Sequence, residues 1–558
     1  MNCSIKILFH YIIVCILLGF ISCTDEVGDA EIGVIKGSST TISDVDVAQN
    51  MLLESMYLIH DSRSHKYQYQ FNLHIDNYAG YLCVANSLQG RLPSTYFINP
   101  NFESGPLTNL LWVTRQVAPV INSSEELGIP ELGAIAKIIY NFSASEVVDI
   151  HGPIPYFAYK NLQTDPPLKY DKVSVIYKEM IEELKDAQNR LKEIKTNISP
   201  EAILRIKKCD RICDGDVNNW ILFANSLRLR LAMRMVKVDP ILAQKEAESA
   251  YADGVLESSN HPNISLDNGG ARHPLYTISI DWDDSRLNAS LENILKRTGS
   301  PLLEKWFSPA EDGLRDKNGN IVIDVDSPEI YLGIRSGTGV HMKENRRDTY
   351  LKFSSVNGDS FSNKEIDIFK VSESLFLCAE GRLRGWNTGS STPKSLYEKA
   401  IKRSLRDEGI TSNKYLGHRF DDQYDIPYKD LYNSDNNISK GLTSVGVRWN
   451  SSYSKEQQLE QIITQKYIAN FPLSLESWSE YRRTGYPRLI SVIYDAGDNS
   501  IPTGEHIRRM TFQVSGSVSI DDVVNSAMPA LIEEDSSGFG DDVQGARLWW
   551  DVKSKGNF

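Results

Sequence analysis

The sequence predicts a mostly α-helical protein: four pairs of tetratricopeptide-like helices carrying long loop insertions and a few short strands. Three observations lead there. Apolar residues recur at 3–4 spacing through several long stretches, the signature of one buried helix face. The second helix of a pair often opens with proline after a capping residue, which suits a first helical turn because the missing N–H is unpaired there anyway. Alanine and glycine fall where paired helices would touch, and small side chains let helices approach closely. At 558 residues and 41% hydrophobic content, the chain has ample material for a large core.

The amino terminus comes first. MNCSIKILFHYIIVCILLGFISC places Lys6 before an apolar run from Ile7 to Ile21 and ends in Ser22-Cys23. A basic start and a short apolar run describe an export signal rather than a spanning helix. Cys23 after a small residue resembles the bacterial lipobox, whose cysteine is acylated and becomes the mature amino terminus; Phe20 stands where stricter versions have leucine. The expectation is a signal peptide over 1–22, a lipid on Cys23 and a flexible tether over 23–42, acidic and then Gly/Ser/Thr-rich. Several acyl chains on one cysteine suffice for stable membrane anchoring. From 43 to 558 no low-complexity block or long charge run marks a linker, so one domain is expected.

The helix pairs follow, near 131–195, 216–254, 371–409 and 455–485. In the first, PELGAIAKIIYNFSASEVVD precedes a stretch with Val173, Ile176, Tyr177, Met180, Leu184 and Leu191 on one face. Asp216 caps the second, whose first helix shows Trp220, Phe223, Ala224, Leu227 and Leu231. Asp239 and Pro240 then open a helix striped with Ala243, Ala247 and Ala250 and ended by Gly254. The third carries Val371, Leu375, Cys378 and Ala379, then Thr392 as cap with Pro393 behind it. In the fourth, Leu459, Ile462, Ile463 and Tyr467 form a stripe that Pro472 ends; Ser474 is read as the next cap and Gly485 as the stop. IVIDV, 321–325, is read as a short strand in the long insertion between the second and third pairs.

Charge and cysteine content exclude some functions. A net charge of −13 argues against binding a nucleic-acid backbone. Once Cys3 and Cys15 leave with the signal and Cys23 takes lipid, four cysteines remain. Cys209 and Cys213, four apart, are either a small-loop disulfide or two free thiols; no nearby His or Cys completes a metal site. The ten histidines are scattered, and no metal or cofactor is expected. Metalloprotease, phosphate-loop, nucleophile-elbow and dinucleotide motifs are all missing. The acid pair Asp283-Asp284 is the one candidate for a glycosidase dyad, which needs carboxyls about 5–9 Å apart; neighbours on an extended chain point apart, so no catalytic residue is assigned.

Tryptophan is the better guide. A flat ring stacks on the apolar face of a sugar while neighbouring polar groups bond its hydroxyls. Trp112, Trp220, Trp386 and Trp478 lie in or beside helical stripes and read as core. Trp282 lies instead in ARHPLYTISIDWDDSRLN, without helical period. With Asp283, Tyr276 and His273 it forms the candidate ligand-binding loop, and Tyr96 in RLPSTYFINPNF is a second candidate.

Several segments together resemble the SusD/RagB family of nutrient-binding outer-membrane lipoproteins of Bacteroidetes. They are DIHGPIPY (149–156), DGDVNNWILFANSLRLRLAMR (214–234), SPLLEKWFSPAEDG (300–313), YLGIRSG (331–337), CAEGRLRGWNTGSS (378–391), IITQKYIANFPLSLESWSEYRRTGYP (462–487), RRMTF (508–512) and LWWD (548–551). The resemblance implies a SusD-like fold with its ligand face on loops outside the helix pairs. It implies an outer-membrane protein facing outward, without catalysis, that delivers oligosaccharides to a SusC-like TonB-dependent transporter, or peptides in RagB-like members. It also implies that Trp478, Tyr481, Arg482 and Arg483 pack helices and form internal ion pairs. A helical-repeat scaffold for protein partners is the remaining alternative.

Overall fold

Helices dominate: the computed structural model is 51% helix and 4% strand. It describes residues 39–558 except 88–91, 99–101, 341–349, 419–425, 444 and 515–517. The expected signal peptide, Cys23 and most of the tether lie outside the described residues. Among the described residues the helices of ten or more residues are α1 Val45–Ile59, α2 Gly105–Ser123, α3 Pro130–His151, α4 Val173–Thr196, α5 Pro200–Cys209 and α6 Val217–Arg234. They continue as α7 Pro240–Asp253, α8 Val371–Arg384, α9 Pro393–Asp407, α10 Lys455–Asn470 and α11 Ser474–Thr484.

The caps explain most of these starts. Asp216 accepts from Asn218 N, Asp239 from Leu242 N and Thr392 from Ser395 N, each supplying an acceptor to an otherwise unpaired helical N–H. Ser454 and Gln457 form a reciprocal capping box on α10. Gly485 ends α11 in the left-handed region, φ 82°, which side chains disfavour. Ser474 departs from expectation. It is the first residue of α11 rather than its cap, Leu473 holds the cap position, and no side-chain bond closes that end.

Consecutive helices stack side by side. α1 packs on α2, α2 on α3, α3 on α4, α4 on α6 and α6 on α7; α6 also meets α8, which packs on α9 and α10. The alanine stripe of α7 is wholly buried. Gly381 in α8 shows why small residues recur at contacts, since a Cβ there would sit 2.2 Å from Thr388 Oγ1. The stack also contains α1, α2 and α5, which the sequence reading passed over; α2 carries Pro119 in its interior.

Strands are few and short. β1 Leu82–Val84 pairs antiparallel with β3 Ser285–Leu287, and β2 Ile264–Leu266 with β4 Ile366–Phe369. The strand expected at 321–325 is only one bridge, Ile321 to Arg315: Val322 and Ile323 bond back to 313–314 and Ile323 is buried, but Val325 is 80% exposed and no longer ladder forms.

Cys209 and Cys213 are buried and unbridged. The turn between α5 and α6 is held by a carboxylate instead. Asp210 accepts from the backbone N–H of Ile212, Cys213 and Gly215 and from Trp220 Nε1, all at 2.9–3.0 Å. The Cys209 thiol turns back to the α5 carbonyls of Arg205 and Ile206.

The aromatic and arginine-rich block at 462–487 is internal. Trp478 is fully buried, with the Arg482 guanidinium 3.6 Å from its ring centroid and its Nε1 donating to Ile507 O. Arg483 donates twice to Glu380 and twice to Glu480 at 2.6–2.9 Å. Arg234 of α6 reaches Glu476 and Glu480, Arg230 makes a bidentate pair with Glu373, and Lys466 of α10 lies between Glu476 and Glu480. One buried ionic lattice therefore ties α6, α8, α10 and α11 together. Burial would raise the Glu480 carboxyl, but Arg483, Lys466 and Arg234 overcome it and hold the group far below the usual carboxylate range. A cavity of about 30 Å³ beside this lattice, lined by Glu146, Asp149, Arg230 and Glu476, has room for a water or two, not a sugar.

Candidate functional site

Three stretches outside the helix stack are pinned to one another. The first is the short helix Ser64–Tyr67 with the π turn Gln68–Asn72. The second follows β1, and the third runs from Arg272 into β3. Hydrogen bonds join the last two: beyond the β1–β3 ladder, Ala85 N donates to Asp284 O and the Asn86 side-chain Nδ2 to Asp283 O. Gln68 Nε2 donates to the Asp284 carboxylate at 3.0 Å and brings in the first stretch.

The loop carrying Trp282 is a second π turn, Thr277–Asp281, closed by Trp282 N donating to Thr277 O. Its ring is half-buried against the main core. Among the other half-buried tryptophans, Trp449 leans on Tyr397 and Trp549 on Tyr177, whereas Trp112 lies along α2. Asp283 adopts a left-handed backbone, φ 58°, which aspartate tolerates better than most residues. That kink splits the acid pair. Asp283 is half-exposed and accepts from Arg286 Nη2 at 2.9 Å, while Asp284 is buried against Gln68. Tyr276 is half-buried, with the Arg272 guanidinium 4.3 Å from its ring centroid; Arg272 also pairs with Asp281 at 3.4 Å.

Tyr276, Trp282 and Asp283 thus share one surface loop, but the other two expected residues do not join them. His273 is 1% exposed, edge-on between Tyr67 and Phe361, with its Nδ1 accepting from Leu275 N. Burial first and Lys364 second push its ring down to about 3, so it is a neutral core histidine. Tyr96 is 3% exposed; its hydroxyl meets His506 Nδ1 at 3.0 Å and its carbonyl accepts from Gln544. Both were expected on a ligand face because they sit in polar loops. Tertiary packing folds those loops over their aromatic rings.

The sequence reading missed Tyr69 and Phe102. Their rings stack at 5.0 Å with 25° between planes, and both are half-buried. The signal was present in HKYQYQFN, where Tyr67, Tyr69 and Phe71 alternate. The short helix and its π turn bury Tyr67 and Phe71 and leave Tyr69 half-buried against Phe102. Beside them, Glu103 has its carboxyl pushed up to about 7 by burial and by Asp542. No group of three His, Cys, Asp or Glu among the described residues could hold a metal ion. No helix among them is long and apolar enough to cross a membrane.

A family model for SusD-like proteins, described as the SusD and RagB outer membrane lipoproteins, matches residues 39–551. The chain belongs to the SusD-like family. Solved structures agree over nearly all of it. A chitin-binding SusD homologue from Flavobacterium johnsoniae is 29% identical, with 92% of this chain and 100% of that one covered and a TM-score of 0.80. SusD homologues from Bacteroides thetaiotaomicron and Bacteroides ovatus are each 28% identical over 92% of this chain and 100% of theirs, with TM-scores of 0.77. A search of curated proteins finds no match. The SusD-like helix stack accounts for the buried ionic block, and the pinned aromatic loops lie outside it.

Proposed function

We propose that this SusD-like chain captures glycans at the cell surface and passes them to a SusC-like TonB-dependent transporter. Trp282 is the main stacking platform, with Tyr69 and Phe102 as a second aromatic step and Asp283 as a hydroxyl acceptor. The observation that carries the reading is the half-buried Trp282 ring at the surface of a loop whose position the β1–β3 ladder fixes. The chitin-binding homologue of matching fold supports a saccharide as ligand. Few ring faces are available, so affinity in the micromolar to millimolar range follows, about −8 to −4 kcal/mol. The same reading takes residues 1–22 as an export signal, Cys23 as the lipid anchor and 43–558 as one binding domain without catalysis.

The test is affinity electrophoresis of wild type, Trp282→Ala and Tyr69→Ala against a glycan panel that includes chitin oligosaccharides. Loss of retardation in Trp282→Ala, with an unchanged melting temperature, is the expected result. Unaltered mobility shifts with every glycan that retards the wild type would show that this loop is not the site.

A further inference from the structure

A second recess, about 350 Å³, is formed by other elements: α9 and the turn at 257–259. Its volume falls at the lower end of small-molecule sites, about 300–1,000 Å³. Lys399, Lys402, Arg403 and Arg406 line it, spaced i, i+3, i+4 and i+7 on one helix face. Like charges at that spacing repel. Two carboxylates also reach the recess: Glu398 lies 3.8 Å from Lys394, and Glu257 accepts from Tyr251. Both are anions, so the lining carries four cationic groups against two carboxylates, a local positive excess in a chain whose net charge is −13.

The two arginines are fixed in place. Arg403 is buried and donates to Asp407, to His261 O and to Asn263 Oδ1, while Arg406 donates to Ser259 O at 2.6 Å. Lys399 and Lys402 are exposed, and neither forms an ion pair among the described residues. Arg403 is spent on these partners, so the groups left for a ligand are Arg406 and the two exposed ammonium groups, and ionised donors of this kind make the stronger hydrogen bonds to an oxyanion. A concave cationic lining also concentrates anions that the acidic chain as a whole repels.

We propose that this recess binds the oxyanion of a charged sugar unit: a sulfate, a phosphate or a uronate carboxylate. The sugar rests on the capture function proposed above; the charge preference does not. It would make the protein a reader of anionic substituents, separate from the aromatic loop that holds neutral rings.

The experiment is calorimetry on the detergent-solubilised full chain and its Lys399→Gln/Lys402→Gln variant. The probes are a sulfated disaccharide, a uronate disaccharide, the unsulfated parent and phosphatidylglycerol vesicles. At least one anionic disaccharide should bind wild type tenfold or more tightly than the parent, weaken between 50 and 200 mM salt as expected for screened charges, and lose about tenfold in the variant. Both lysines are exposed, so the variant's melting temperature should match wild type. Trp282→Ala should leave the charge preference intact, which separates failure of this site from failure of the aromatic one. Equal binding of charged and parent sugars, undiminished binding by the variant, no binding of either anionic sugar, or binding to vesicles alone would each overturn the proposal.

Discussion

Arg483→Met is the sharpest test of the ionic lattice. Arg483 is fully buried and makes four short hydrogen bonds, two to Glu380 and two to Glu480. Methionine retains much of the apolar stem but removes the charge. Glu380 then keeps only Arg384, and Glu480 keeps Arg234 and Lys466. Removing one member of a buried ion pair costs about 3–5 kcal/mol, because the remaining charge is left dehydrated and undercompensated. Unfolding entropy near 2.1 cal/mol/K per residue over about 520 residues is roughly 1.1 kcal/mol/K, so the melting temperature should fall by about 3–5 °C. Scanning calorimetry of the detergent-solubilised chain reads this directly. Glu380→Gln with Arg483→Met should be less destabilised than the two single losses combined, by at least about 1 kcal/mol, as contacting residues are. A drop under 1 °C, or strict additivity in the double variant, would refute the view that this lattice is a coupled support of the helix stack.

Asp210→Asn should cost about 1–3 kcal/mol, because an amide cannot accept from all four donors that the carboxylate satisfies. Reductant should leave the wild-type melting temperature unchanged, since Cys209 and Cys213 are not joined. Acid sensitivity should begin near pH 6.5. Burial holds His74 and His273 at about 3 and His151 and His506 at about 4, against 6.5 in the unfolded chain. The unfolded state therefore binds more protons below pH 6.5, and stability falls with pH by about 1.4 kcal/mol per unit for each histidine. Asp76 and Glu103 work the other way, between 3.8 and about 6 and between 4.5 and about 7, because burial raises both folded carboxyls, but the four histidines outnumber them. A melting temperature that stays flat from pH 7.5 to 5 would contradict this account.

What could be read without coordinates was local. Asp216, Asp239 and Thr392 announce helix starts because capping is a contact between a side chain and backbone two or three residues away. Apolar stripes announce buried faces for a similar reason, since their period comes from the helix itself. The segments that resemble SusD-like proteins lead to the same family by direct comparison. Ser474 looked like a cap on composition, yet the backbone there places Leu473 in that position.

The candidate site depended on contacts far apart in the chain. Gln68 and Asp284 are 216 residues apart, and Asn86 reaches Asp283 across 197. His273 and Trp282 stand in one polar-looking loop, yet one ring lies in the core and the other on the surface. Sequence alone determined the four expected helix pairs, most of their caps and the family, because those depend on short-range backbone chemistry and on order along the chain. The tertiary structure decided which aromatic rings face solvent, which arginines are neutralised and which cysteines stay apart. Each of those depends on burial, and a residue's burial is set by partners that its sequence neighbours do not identify.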